Sequence, residues 1–179
     1  YLSVVKDDAK KTDATLRLAD GYFVTKQYWP AMEMYNSILN SNSSYKDYAA
    51  FQKAVSYGFV DKNPTKIEEL QKFISNYKSS SLVDDAYYEL GSTYANSNQT
   101  SKAIETYNQL LTNYPKSNLA SKAILRQGAV NINANDEDKA IERFKKVVND
   151  YPGSQDAIEA VQNARIAYLD TGRSNEFAA

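Results

Sequence analysis

The sequence predicts an all-α chain: a right-handed α–α superhelix, or solenoid, of about four and a half helix–turn–helix repeats. Three observations carry this. Short strings recur at one fixed offset. Small residues stand at fixed places inside the helical stretches. Proline, serine and asparagine punctuate the stretches at matching points.

The offset comes first. Lys-Ala-Ile-Glu at 102–105 recurs at 139–142, and Asn-Tyr-Pro at 113–115 recurs as Asp-Tyr-Pro at 150–152, both 37 residues on. Carried backwards, the same step puts Tyr114 on Tyr77, Tyr94 on Tyr57 and Leu110 on Phe73. The match is weaker there, because Lys66 stands where Ala103 would be. One unit earlier, Trp29 to Tyr35 parallels the segment ending at Tyr107. The units run over about 12–44, 45–80, 81–116 and 117–153, with a partial unit at 154–179. Together they make one solenoid over 1–179.

Each element has a local reason. Ala19, Ala54, Gly91 and Gly128 sit mid-helix, where a large side chain would hold the partner helix away. A mid-helix Gly costs roughly 1 kcal/mol against Ala, so close packing must offset it. Ala31, Ala103 and Ala140 do the same from the second helices. Tyr35, Tyr107 and Phe144 lie four residues on, along the same face. Pro115 and Pro152 end second helices. Ser117 and Ser154, with Ser80 or Ser81 before them, are expected N-caps of the helices that follow. Pro64 starts a helix. Ser97 to Thr100 and Asn133 to Asp136 are turns within hairpins.

At the ends, Tyr1 is in phase with Tyr35, which starts the chain inside the second helix of an earlier unit. Gln155 to Asp170 reads as a fifth first helix, with Tyr168 matching Asn131. Gly172 then supplies a turn, and Phe177, Ala178 and Ala179 begin another helix. Neither end shows the polar cap a solenoid needs, so the chain reads as a slice of a longer array.

The signature resembles the tetratricopeptide repeat, W-x₂-L-G-x₂-Y, A-x₃-F and P on a unit of about 34 residues. The third unit carries Tyr87 in the Trp place, then Leu90, Gly91, Tyr94, Ala103, Tyr107 and Pro115. The fourth carries Gly128, Ala140, Phe144 and Pro152, with Gln127 for the Leu and Asn131 for the Tyr. The first has Leu18, Ala19, Tyr22, Ala31 and Tyr35. The second keeps Tyr57 but has Ala54, Lys66 and Leu70 at other signature places. The Tyr-Pro-x-Ser linkers at 114–117 and 151–154 add a finer resemblance over about residues 77–172. They are similar to a bacterial group that includes the periplasmic Tol-Pal cell-division coordinator and the lipoprotein of the β-barrel assembly machine. That resemblance implies a periplasmic or outer-membrane location and a membrane-associated complex.

Composition narrows the chemistry. The chain has 179 residues, a formal net charge of −1, and neither Cys nor His. Disulfides, thiolate metal sites and the commonest general base are thereby excluded. A clustered basic face for nucleic acid is absent, as is any run of about 18 apolar residues that could span a membrane. Asp136-Glu137-Asp138 lacks the Gly and terminal Glu of a calcium loop and suits a helix N-terminus instead. No nucleophile–base pair or phosphate loop is present. The expectation is a non-enzymatic chain with no cofactor and no metal.

The fold implies a concave face lined by first helices, on which a protein or peptide segment would lie. Phe23, Phe51, Phe59, Tyr88, Leu125 and Ile132 are expected there, with Asp20, Ser92, Asn96, Lys122 and Asn133 as polar neighbours. Aromatic anchors with adaptable amides suit peptide recognition. A carboxylate clamp of the chaperone-binding type would begin with Lys122 and Arg126, but Glu89, Phe51 and Val55 occupy its other places. The second reading is a carbohydrate-binding module of an outer-membrane glycan-capture system, using exposed aromatics. Tyr22, Tyr35, Tyr57, Tyr94 and Tyr107 are assigned to packing.

Overall fold

A computed structural model describes residues 8–177. Tyr1, Ala178 and Ala179, which carried part of the reading of the two ends, lie outside them. Ten helices and no strand are found among the described residues. They are α1 Asp8–Val24, α2 Tyr28–Leu39, α3 Lys46–Gly58, α4 Asn63–Asn76, α5 Val83–Asn96, α6 Thr100–Asn113, α7 Ala120–Asn133, α8 Glu137–Asp150, α9 Gln155–Asp170 and α10 Ser174–Phe177. Packing divides the described residues into two compact units, one up to Thr93 and one from Tyr94 on, with the division in the last turn of α5.

The backbone repeats the register read from the sequence. Inside each hairpin one residue takes positive φ: Lys26, Asp61, Asn98, Asn135 and Gly172. The next residue's N–H then donates back to a carbonyl five residues earlier. The pairs are Gln27 to Tyr22, Lys62 to Tyr57, Gln99 to Tyr94, Asp136 to Asn131 and Arg173 to Tyr168, at 2.8–2.9 Å. This left-handed C-cap satisfies carbonyls that a helix end would leave open. Tyr168 and Asn131 are thus equivalent, as their spacing predicts.

Two N-cap expectations part company. Ser154 caps α9, its Oγ accepting from the Ala157 N–H at 3.0 Å. Ser117 does not cap α7. That helix starts at Ala120, and Ser117 Oγ accepts from the Leu119 N–H at 3.1 Å in a short turn before it. Asp136 caps α8 through the Lys139 N–H.

The first unit packs α1 on α2, α2 on α3 and α3 on α4. Its best-defined core is Ala19, Ala31, Tyr35, Ile38 and Ala49, flanked by Leu16, Tyr22 and Phe23. The second unit packs α7 on α8 and α8 on α9. Ile124, Leu125, Ala140, Phe144, Val147 and the alanines of α9 fill it. Gly128 lies directly beneath Phe144: a Cβ there would fall 2.3 Å from Phe144 Cε1. The glycine is required by that approach.

Lys66, which weakened the second repeat's signature, has its own compensation. Its stem passes Gly58, where a Cβ would meet Lys66 Cδ at 3.0 Å. Its ammonium reaches Glu89 at 2.6 Å. The long cation thus fits beside a position that has no side chain.

Candidate functional site

Five of the ten predicted contact residues lie in the first unit and five in the second. In the first, α1 and α3 bring Phe23 and Phe59 together. Phe23 meets Phe59 edge-on, with centroids 5.6 Å apart, and meets Tyr28 in the same way. Tyr28 and Phe59 stack at 4.6 Å, nearly parallel. Phe59 is the C-cap residue of α3 and is 55% exposed. Trp29, next to Tyr28, is 56% exposed. A three-ring cluster with a half-exposed rim therefore stands where α1 and α3 end and α2 begins. Tyr28 and Trp29 were missed because they open a second helix, and only first helices were counted towards the groove. Three aromatics within seven residues, Phe23 to Trp29, were the available signal.

Phe51 has a different role. It is half-buried, its ring 5.7 Å from that of buried Phe73, so it joins α3 to α4. Tyr88 and Ser92 lie half-buried on α5.

Asp20, expected as a polar neighbour of the groove, is an internal junction. Its Oδ1 accepts from the Tyr35 hydroxyl at 2.7 Å and the Tyr48 hydroxyl at 3.1 Å. One carboxylate ties α1 to α2 and α3. Burial pushes the Tyr35 phenol far up, and the bond to Asp20 pushes it further. Tyr48 is raised for the same two kinds of reason, burial first.

In the second unit the expected stripe needs correcting. Leu125 is 2% exposed and belongs to the core, where it packs among Ala140, Phe144 and Ala160. It cannot meet a partner in the folded chain. Ile132 is half-buried and packs against the same core and against Ile141 and Tyr168. The exposed positions of α7 are Lys122, Arg126 and Asn133, and Asn96 is exposed at the end of α5. One residue rotates a helix position by about 100°. The contact of α7 with α9 turns Leu125 inward and leaves Arg126 outside.

Nothing in these surfaces gathers chemistry. Among the described residues no three Asp or Glu side chains are placed to hold a metal ion, and no helix is long and apolar enough to cross a membrane. A cleft of about 730 Å³ in the first unit is lined by hydroxyls and amides, including Thr15, Ser37, Ser41, Asn42 and Tyr45. The carboxylate at its edge, Asp13, is paired with Arg17 at 2.9 Å.

Comparison with known proteins agrees with the helical-repeat fold. Residues 85–117 and 122–154 match the tetratricopeptide repeat family model, the second match 37 residues after the first. No curated protein matches the chain. Among solved structures, a crystal structure of MamA is 23% identical with a TM-score of 0.72, covering 89% of this chain and 88% of that one. A second MamA structure is also 23% identical, with a TM-score of 0.74 and coverage of 93% and 86%. A Podosopora anserina kinesin light chain with nearly identical TPR-like repeats is 13% identical, with a TM-score of 0.74 and coverage of 97% and 92%. At these identities the likeness shows the fold. The chain has a helical-repeat fold, and within it residues 85–117 and 122–154 match the tetratricopeptide repeat.

Proposed function

We propose that this chain is a protein-interaction scaffold whose first unit binds an extended or helical partner segment at the Phe23–Tyr28–Phe59 cluster. Repeats of this kind are built of units that leave continuous surfaces for partners. The observation that carries the reading is the exposed ring of Phe59 in that cluster, with exposed Trp29 next to Tyr28 in the chain. Large aromatics dominate the energetics of peptide interfaces. On the face of α5, Tyr88 and Ser92 extend the contact. The Tyr-Pro-x-Ser linkers supply the rest of the proposal, an assembly at a bacterial cell envelope. Fractionation of the source cells tests that part, and a purely cytoplasmic protein sinks it.

Trp29 is the chain's one tryptophan, so its emission reports on the start of α2, next to Tyr28. Peptides selected from a displayed random library on the chain should shift that emission when titrated. Phe59→Ala should weaken their binding by about tenfold or more, since a buried Phe contributes about 1.5–3 kcal/mol, with the helical circular dichroism unchanged. Peptides that bind with Trp29 silent and Phe59→Ala neutral would move the site elsewhere. The glycan reading draws on the same exposed Trp29. Oligosaccharides in place of peptides, with emission as readout, decide it.

A further inference from the structure

Two lysines stand at turn positions that local structure gives no reason to fill with lysine. Lys26 has φ 61°. The equivalent turns place Asp61, Asn98, Asn135 and Gly172 at positive φ, and those residue types reach this region at least cost. Lys62 is the N-cap residue of α4 and makes no side-chain cap bond. Short acceptors such as Ser, Asp and Asn belong at such a place, and Asp136 takes that role in α8. A cation there also opposes the helix dipole. Both lysines are exposed, and neither ammonium has an ion-pair partner among the described residues.

Both departures from local preference fall at the aromatic cluster. The Lys26 N–H donates to the Phe23 carbonyl at 2.9 Å, and Tyr28 follows two residues on. Lys62 follows Phe59 by three residues. The turn edge is open in the later units too. Asn96 and Asn133, equivalent to Phe59, are exposed, and so are Ser101 and Asp138, equivalent to Trp29. What stands on the edge differs. The third turn, Asn96 to Ser101, is uncharged, and the fourth, Asn133 to Asp138, holds three acidic residues and no cation. Rings and lysines meet in the first two turns.

We propose that Lys26 and Lys62 select the partner segment by its charge: they pair with Asp or Glu residues that flank an apolar side chain packed on the Phe59 ring. This rests on the reading of the cluster as a docking site and adds the partner's chemistry to it. A residue that its own backbone position disfavours is expected where function requires its side chain. Asp61 occupies its turn's own positive-φ place and offsets one charge. The lysines therefore act as two point contacts and not as a field. Exposed ion pairs contribute little affinity each, so their effect is mainly on which segment binds.

One test needs no ligand. In the double variant Lys26→Asn with Lys62→Asn, each turn receives a residue that its conformation favours. The urea midpoint should rise at unchanged slope. A midpoint that does not rise means the two positions carry no local cost, and overturns the proposal. The second test selects peptides from a displayed random library on the whole chain and on the double variant. Loss of binding in Phe59→Ala identifies the peptides that sit at the cluster. Those recovered on the wild type should carry Asp or Glu beside an apolar residue. They should bind the double variant about fivefold more weakly, a difference that fades by about 500 mM salt. Those recovered on the double variant should keep the apolar residue and lose the acidic ones. Peptides that need Phe59 but are no richer in Asp and Glu than the library overturn the role of the lysines and leave the docking site standing. Recovery of no peptide that needs Phe59 overturns both.

Discussion

The hairpins α1–α2 and α7–α8 solve one packing problem with different chemistry. In α7–α8 a glycine, Gly128, lets the ring of Phe144 lie against the helix backbone. In α1–α2 an alanine, Ala19, occupies the equivalent place, and the ring is Tyr35. Both rings are fully buried. The phenol must bring its hydroxyl into the core, and an unpaired buried hydroxyl is costly. Asp20 answers that need and adds a bond to Tyr48 in the next hairpin. The α7–α8 hairpin is thus held by shape, whereas α1–α2 is held by shape and a half-buried polar junction. It follows that the two units should fail differently when altered.

Shape should give the largest effect. Gly128→Ala places a methyl group 2.3 Å from a buried ring carbon. Overpacking of this kind costs about 1–3 kcal/mol, outweighing the helix propensity that Ala gains. We expect a net loss of about 2 kcal/mol in urea unfolding, partly recovered by adding Phe144→Leu. Gly21 is the control. It too is helical, on α1, but a Cβ there meets nothing within 4 Å. Gly21→Ala should gain up to about 1 kcal/mol. If both glycines respond alike, close approach is not what selects Gly128.

The polar junction should come second. Tyr35→Phe removes one donor from Asp20 and leaves Tyr48. A hydrogen bond to a charged group is worth about 1.5–3 kcal/mol, and the remaining bond softens the loss to about 1–2 kcal/mol. The junction also predicts an alkaline signature. The Tyr35 phenol is raised in the folded chain, so its contribution is intact below the unfolded value near 10 and is lost as pH climbs above it. Between pH 9 and pH 11 the wild type should lose more stability than Tyr35→Phe. Equal losses would mean that burial and Asp20 together do not hold this phenol in its neutral form.

Much of this was legible in the sequence. The register was, because each hairpin turn must place one residue at positive φ and each core must alternate small and large, and both demands leave marks at fixed spacing. Tyr57, Tyr94 and Tyr168 all proved to be turn acceptors in step. The binding face was less legible. Whether Leu125 or Arg126 points outward is a rotation of one position, decided by where α9 lies, and no local pattern records that. Phe59 was found, but its partner Tyr28 was not, because the cluster joins helix ends from different hairpins. The charge pair of Lys66 with Glu89 was hidden for the same reason.

Gln127 offers the smallest test and the only one expected to raise stability in the second unit. It stands where the repeat signature has Leu, and it is fully buried. Its amide donates to Asn108 Oδ1 at 2.8 Å and, more distantly, to the Ile104 carbonyl. Its Oε1 has no donor among the described residues. A buried carbonyl left in that state carries a desolvation cost of about 1–3 kcal/mol, against which its amide's bonds return part. Gln127→Leu removes the unpaired oxygen and supplies the Leu of the repeat signature, while exposed Asn108 turns to water. We expect a gain of about 1 kcal/mol, seen as a higher urea midpoint at unchanged slope. A loss instead would show that the Gln127–Asn108 bond holds α6 to α7. The second unit would then have a polar tie beside the Ser121–Asp156 bond that joins α7 to α9, and the contrast with Asp20 would narrow to one of degree.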